Sequence, residues 1–330
     1  MALQTGPVWF GVPLVELWFV ALFLTLAMFL WLDGTNFGMG VLYGLSDGEE
    51  TRDRILAAIA PLWDGAEVWL VVFGGSLFAV FPDVYGGLFS GNYLLMFAIL
   101  GSLIIRGVSP EFMEQRDDER WRRIWSRTFV LGSTLAPFFL GMFAANWLVG
   151  ATGIITLPGI VVGLALLALS TAQGTGFLGM KTASGLEAST TRYGLRSQVA
   201  YLVLALLAVL YLFVAVEGMA AKIARPVPIA LVALTAVLGV AYLWLLRAGR
   251  YRPAFLAAGT QIFGLVALVA VLLFPTIYPV AGLTVYEAAV STLQLKMMTG
   301  VLAVFLPLVL FYFAVLYSAF SGPVEAGEGY

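Results

Sequence analysis

The sequence predicts an all-α polytopic membrane protein with about nine transmembrane helices in one integral membrane domain. Two composition figures and one pattern predict it. Of the 330 residues, 61% are hydrophobic and 11% charged, where a soluble domain carries about 25% charge. The apolar residues are gathered into runs close to the roughly 20 residues a helix needs to cross a hydrocarbon core of about 30 Å. Helices are expected rather than strands, because a bilayer leaves open strand edges without hydrogen-bond partners.

The nine runs cover roughly 11–32, 62–82, 92–109, 128–149, 157–177, 198–216, 228–247, 254–274 and 297–319. No Lys or Arg precedes the first run and no small-residue cleavage site follows it, so it is expected to be a retained span and not a signal peptide. It ends in "WLDGTNFGMG", residues 31–40. The GxxxG of Gly34 and Gly38 there would let two helix backbones approach closely, or mark a loop that needs free backbone angles. The flanking Gly40 and Gly44 favour the loop. The second run is the weakest, since "PLWDGAEVW" opens it with polar residues and Gly74-Gly75 interrupts it. "FPDVYGGLFSGNY" is expected to be a tight glycine-rich turn into the third run.

Between the third and fourth runs lies "EQRDDERWRRIWSR", Glu114 to Arg127, with charges alternating in sign and Trp121 and Trp125 four apart. An amphipathic helix lying at the cytoplasmic interface and anchored by its tryptophans is expected; a docking surface for a partner protein is the sharper alternative. In the eighth run Thr260 and Gln261 are expected to hydrogen-bond between helices, and Pro275 and Pro279 to end it. The chain divides into an N-terminal bundle over about 1–150, C-terminal helices over about 151–320 and a short polar tail, 321–330.

Fourteen of the seventeen basic residues fall in the loops after odd-numbered spans. The positive-inside rule then places the N-terminus outside and the C-terminus in the cytoplasm. The net charge of −2 gives no reason to expect a nucleic-acid partner. There are no cysteines, hence no disulfides and no Cys-ligated cluster, and no histidines. Histidine is the usual ligand of haem iron and transition metals, so this chain offers only Met or Tyr for that purpose and is not expected to ligate a metal or haem.

With this topology Asp33, Asp64 and Arg106 all lie at the cytoplasmic ends of spans. Ionisable groups at membrane depth face a protein interior or a water-filled path. Asp64 and Glu67, three apart, project from one helix face, with Trp63 and Glu67 neighbours at four. Clustered carboxylates raise one another's pKa and an arginine lowers it, so such a set can pass protons inward. An ion pair of Arg106 with Asp64 or Asp33 that only locks three helices is equally consistent with these residue types, and Asp64 could also simply cap its helix. Glu16, inside the first span near its outer end, either snorkels to the surface or faces another helix.

The stretches "WLDGTNFGMGVLY", "IAPLWDGAEVWLVVFGGSLFAVFPDVYGGLFSGNYL", "LIIRGVSPEF", "GMKTASGLEAST" and "LFPTIYP…LTVYEAAVSTLQL" resemble, in order along the whole chain, subunit II of the cytochrome bd-type quinol oxidases. The resemblance implies two four-helix bundles plus one peripheral helix, in a prokaryotic plasma membrane. It implies a partner, subunit I, that carries the haems (two of b type and one of d or b type) and the quinol site. Small single-span accessory subunits, membrane lipids and a bound quinone are further possible partners. It also implies a cytoplasmic proton-entry path through Asp33, Asn36, Trp63, Asp64 and Arg106, with Glu67 beside them. Two positions depart from the family pattern. Asn36 stands where Asp is usual, and an amide binds a water but cannot carry a titrating proton. Ala66 stands where Asn is common.

Two other classes compete. A stand-alone secondary transporter also carries membrane carboxylates, but its polar groups belong at the midplane of repeated halves. Here they cluster at the span ends and no repeat is visible. A pure assembly scaffold would use the same residues only as a lock.

Overall fold

In the computed structural model, residues 6–46, 48–60, 63–182 and 186–319 are described, apart from the side chains of Trp63, Asp64, Leu316, Tyr317 and Ala319. The polar tail 321–330 lies outside them.

The first apolar run does not begin as helix. Val8–Trp9 (β1) and Val12–Pro13 (β2) pair antiparallel. The two residues between them, Phe10 and Gly11, have φ of 50° and 81°, the left-handed pair that a two-residue hairpin turn needs. Helix α1 follows directly, Leu14–Leu45. It is 32 residues long, about 48 Å at 1.5 Å per residue. Then come α2 (Glu49–Ile59), α3 (Trp63–Val80), α4 (Pro82–Gly91), α5 (Tyr93–Glu114), α6 (Glu119–Val149), α7 (Leu157–Lys181) and α8 (Ala188–Ala215). The remainder is α9 (Met219–Ile223), α10 (Pro226–Arg247), α11 (Tyr251–Leu273), α12 (Val285–Ala288) and α13 (Thr292–Ala319).

Eight helices among the described residues are long and apolar enough to cross a membrane. The ninth expected span is α3, whose apolar stretch Gly65–Val80 is shorter. Helices α1, α3, α5 and α6 pack around one another, and α7, α8, α10 and α11 form a second group of four, joined to the first where α1 and α6 lie on α7. The last helix, α13, is the peripheral one: it touches α1 through Trp18 Nε1, which donates to Thr299 Oγ1 at 3.0 Å.

An aromatic cluster fills the first group. The ring of Trp147 on α6 stacks on Phe23 of α1 at 5.3 Å and meets Phe73 of α3 at 6.3 Å. Its indole N–H, buried with the ring, donates to the Ile277 carbonyl at 2.7 Å, as a buried donor must. In the second group Gln198 Nε2 of α8 donates to Gln261 Oε1 of α11 at 2.8 Å. The interhelical role expected of Gln261 is therefore present. Thr260 differs: it is exposed and donates to Leu256 of its own helix.

Four further expectations change. Residues 34–44 are not a loop but the buried second half of α1. Their glycines serve close packing: a Cβ on Gly38 would overlap the Ser170 carbonyl of α7, and one on Gly174 would stand 2.6 Å from the Gly38 carbonyl carbon. "FPDVYGGLFSGNY" is no tight turn, since Pro82, favoured at a helix start, opens the ten-residue α4. "EQRDDERWRRIWSR" is not a separate interfacial helix. Its first residue ends α5, and from Glu119 it is the polar start of α6, capped by Asp118, which accepts from the Trp121 backbone N–H at 3.2 Å. Glu49–Ile59, read as part of a loop, is helical. The proline expectation holds, with α11 ending at Leu273 just before Pro275.

Candidate functional site

Three helices bring the expected charged residues together. From Leu14, 20 residues at 1.5 Å cover about 30 Å and reach Asp33. Asp33 thus sits one bilayer thickness along α1, near where the polar half of the helix begins. Its side chain is 0% exposed and that of Arg106, on α5, 1%. The guanidinium grips the carboxylate with two nitrogens, Nη1 to Oδ1 at 2.8 Å and Nη2 to Oδ2 at 3.1 Å, the forked geometry that makes arginine–carboxylate pairs strong. Nη2 also pairs with Glu67 Oε1 of α3. Asn36, one turn beyond Asp33, donates its amide N–H to Asp33 Oδ1 at 3.2 Å.

Two residues that sequence reasoning missed complete the pocket. The Arg106 guanidinium lies over the Phe37 ring, 4.7 Å from its centroid, a cation–π contact that gives the buried cation an aromatic partner. Phe37 gave no signal in the sequence beyond its place beside Asn36. Gly132 of α6 gives Arg106 room: a Cβ there would stand 2.8 Å from both the Cβ and the backbone N of Arg106. Its signal was a lone glycine inside an apolar helix.

The cluster has a graded exposure. Asp33 is sealed, whereas the Glu67 side chain is 39% exposed. Arg106 bridges the two. Of the expected set, the geometry therefore joins Asp33, Asn36, Glu67 and Arg106. The side chains of Trp63 and Asp64 lie outside the described residues; their backbone opens α3 within four residues of Glu67. Such an arrangement can do two things: tie α1, α3 and α5 together, and hold a proton or an ordered water between an exposed and a buried carboxylate.

Glu16 faces another element and does not snorkel freely: Tyr286 Oη of α12 donates to its Oε1 at 2.8 Å. It lies in the first turn of α1, where a negative charge suits the helix dipole. There is no His or Cys, and among the described residues no three His, Cys, Asp or Glu side chains gather as a metal would require.

The comparisons with known proteins agree with this architecture. The chain is 27% identical, over 93% of its length and 94% of the relative's, to the cytochrome bd-I ubiquinol oxidase subunit 2 of Escherichia coli (strain K12). It is 35% identical over 128 residues, 38% of either chain, to the cytochrome bd ubiquinol oxidase subunit 2 of Bacillus subtilis (strain 168). A chain in the structure of the bd oxidase from Geobacillus thermodenitrificans shares its fold, with a TM-score of 0.73 over 93% of this chain and 98% of that one at 19% identity. The family described as cytochrome bd terminal oxidase subunit II matches residues 14–320. Two groups of four helices with one peripheral helix, a buried arginine–aspartate pair and a match along almost the whole length lead to one conclusion: this chain belongs to the family of subunit II of the cytochrome bd terminal oxidases.

Proposed function

We propose that this chain is the haem-free subunit of its oxidase, that it stabilises a haem-bearing subunit I, and that it admits protons from the cytoplasm through Glu67, Arg106 and Asp33. Membership of the family makes the chain a subunit of a quinol-oxidising, dioxygen-reducing respiratory complex, which implies a subunit I. The haems, two of b type and one of d or b type, and the quinol site belong to that partner in this reading, because the present chain has neither imidazole nor thiolate to offer iron. When bound there, haem supplies the electron transfer and dioxygen chemistry; the residues of this chain hold helices and protons. Lipids, a bound quinone and small single-span subunits belong to the same proposal. So does the orientation, with the N-terminus outside, which rests on the fourteen basic residues gathered on one side.

One observation carries the proton reading. A wholly buried carboxylate, Asp33, is linked through Arg106 to Glu67, whose side chain is 39% exposed. A structural lock needs no exposed member, whereas an entry path needs one. Asn36 donates to Asp33 and so orients its carboxylate, while the titrating positions are left to Asp33, Glu67 and Asp64.

The test begins with an optical spectrum of the material purified through a tag on this chain. Reduced haem bands together with a histidine-containing partner in equal amount support the reading, and a colourless protein without partner overturns it. Glu67→Gln in that complex is then expected to slow dioxygen reduction with the haem bands intact. Loss of haem in step with activity would assign the cluster to the lock alone.

A further inference from the structure

A second polar site lies apart from this cluster. The C-terminal end of α1, the first turns of α2 and the first turns of α6 enclose an open cavity of about 670 Å³. Four arginines line it: Arg52 of α2 and Arg122, Arg123 and Arg127 of α6. Three carboxylates, Glu49, Asp53 and Glu119, line it too. The charges nevertheless do not cancel locally. Only Arg123 forms an ion pair, with Glu119 at 3.9 Å, while Arg52, Arg122 and Arg127 make none among the described residues. Arg52 is held over the Tyr43 ring, 5.6 Å from its centroid, and its Nε is buried without a hydrogen-bond acceptor. Among the described residues this donor has no acceptor, so Arg52 is free to take one from an anionic group that enters the open cavity.

The surroundings say what kind of anion. At the same level of α6, on the side turned to α5, Trp121 and Trp125 gather with Phe112, whose ring stacks on Trp125 at 4.5 Å, the aromatic signature of a membrane–water boundary. Arg127 shares one face of α6 with Ile124, three residues before, and Leu131, four after. Both apolar side chains are about half exposed. Ile124 lies one turn towards the polar start of α6 and Leu131 one turn beyond Arg127, so past the arginines the stripe continues as exposed apolar surface at Leu131. This is the layout of a headgroup site with acyl chains running beneath it, and basic pockets at the ends of spanning helices take anionic headgroups.

We propose that this cavity binds the phosphate headgroup of an anionic phospholipid, with Arg52 and Arg127 as its main contacts and Arg122 at its rim. The site uses none of Asp33, Glu67 or Arg106, so it stands independently of the proton reading.

The test is native mass spectrometry of the tag-purified complex in detergent, titrated with phosphatidylglycerol, phosphatidylcholine or inorganic phosphate. The tightest site is expected to prefer phosphatidylglycerol. Each arginine removed should weaken it about fivefold, so Arg52→Ala with Arg127→Ala should weaken it roughly thirtyfold. The charge-keeping pair Arg52→Lys and Arg127→Lys should stay within a few-fold of the parent, as should Arg120→Ala, a neighbouring arginine outside the cavity. Equal binding of the two lipids by the unaltered complex would overturn the proposal, whatever the variants do. So would inorganic phosphate binding as tightly as the lipid, which would make this a site for soluble anions, or a protein partner found seated in the cavity.

Discussion

Arg106 and Asp33 form a two-pronged ion pair, at 2.8 and 3.1 Å, between side chains that are both sealed from solvent. Removing two charges from water is costly, and only close geometry offsets it. The pair is therefore far more sensitive to losing one member than to losing both. Arg106→Leu strands Asp33 and should cost about 3–5 kcal/mol. Arg106→Leu combined with Asp33→Leu should recover most of that loss. The thermal midpoint and assembly yield of the detergent-solubilised complex report on both. A double variant no more stable than Arg106→Leu would show that the pair is not the coupled unit described here.

Asp64→Asn addresses the entrance of the path. If Asp64 hands protons towards Glu67, the variant assembles with normal haem bands and reduces dioxygen more slowly. If Asp64 only steadies the first turn of α3, turnover is unchanged and stability falls by about 1 kcal/mol at most, the charge–dipole part that an amide cannot supply. Turnover and thermal midpoint, measured on the same preparation, separate the two.

The two glycines of the GxxxG pattern should respond with opposite sign. A Cβ on Gly34 would meet Ser170 Oγ at 3.5 Å and Ile262 Cδ1 at 3.6 Å, ordinary contacts. Gly34→Ala is thus expected to be neutral or to stabilise by up to about 1 kcal/mol through helix propensity. A Cβ on Gly38 would overlap a backbone carbonyl of α7, which cannot swing aside. Gly38→Ala should cost roughly 1–3 kcal/mol or prevent assembly. Equal thermal midpoints for the two variants would contradict the close approach of α1 and α7.

Tyr286 links α12 to Glu16 at the other end of α1. Burial, with the hydrogen bond to Glu16 second, pushes its phenol above the ordinary 10.0. The folded chain then keeps this proton where the unfolded chain loses it. Its contribution to stability is whole below about pH 10 and is lost as the pH rises through the raised value. Tyr286→Phe should flatten that part of the stability profile above pH 10, and should cost about 1–3 kcal/mol at neutral pH because Glu16 Oε1 loses its donor. Thermal midpoints taken from pH 8 upwards test both effects.

Much of the architecture was legible before any coordinates. The C-terminal bounds of the fourth, sixth, seventh and eighth runs, 149, 216, 247 and 274, fall within a residue of the observed helix ends. Hydropathy records where each residue meets hydrocarbon, and that is a local property. It failed where helices continue past the hydrocarbon: α1 runs on to Leu45, α5 to Glu114, and α6 and α8 begin early, at Glu119 and Ala188. These four lie on the basic side, where polar residues sustain helix as well as apolar ones do; α13, which begins at Thr292 and not at 297, overruns on the other. Of the site, the residue types and the side they occupy were legible, but Arg106 could not be assigned between Asp33 and Asp64, and Phe37 and Gly132 were not visible as parts of it.

The sequence by itself determined the class: a membrane protein of about nine helices, without histidine or cysteine for metal chemistry, with its charged residues gathered at one end of the spans. These follow from composition and from the 1.5 Å rise of a helix against a hydrocarbon core of fixed thickness. Only the tertiary structure decided that the glycines at 34–44 pack a helix and do not form a loop, that Arg106 takes Asp33 and Glu67, and that Arg52 and Arg127 share one cavity. Each of these depends on how far each helix is rotated about its axis and which backbone it touches. Those quantities are set by side chains distant in sequence, and no local pattern carries them.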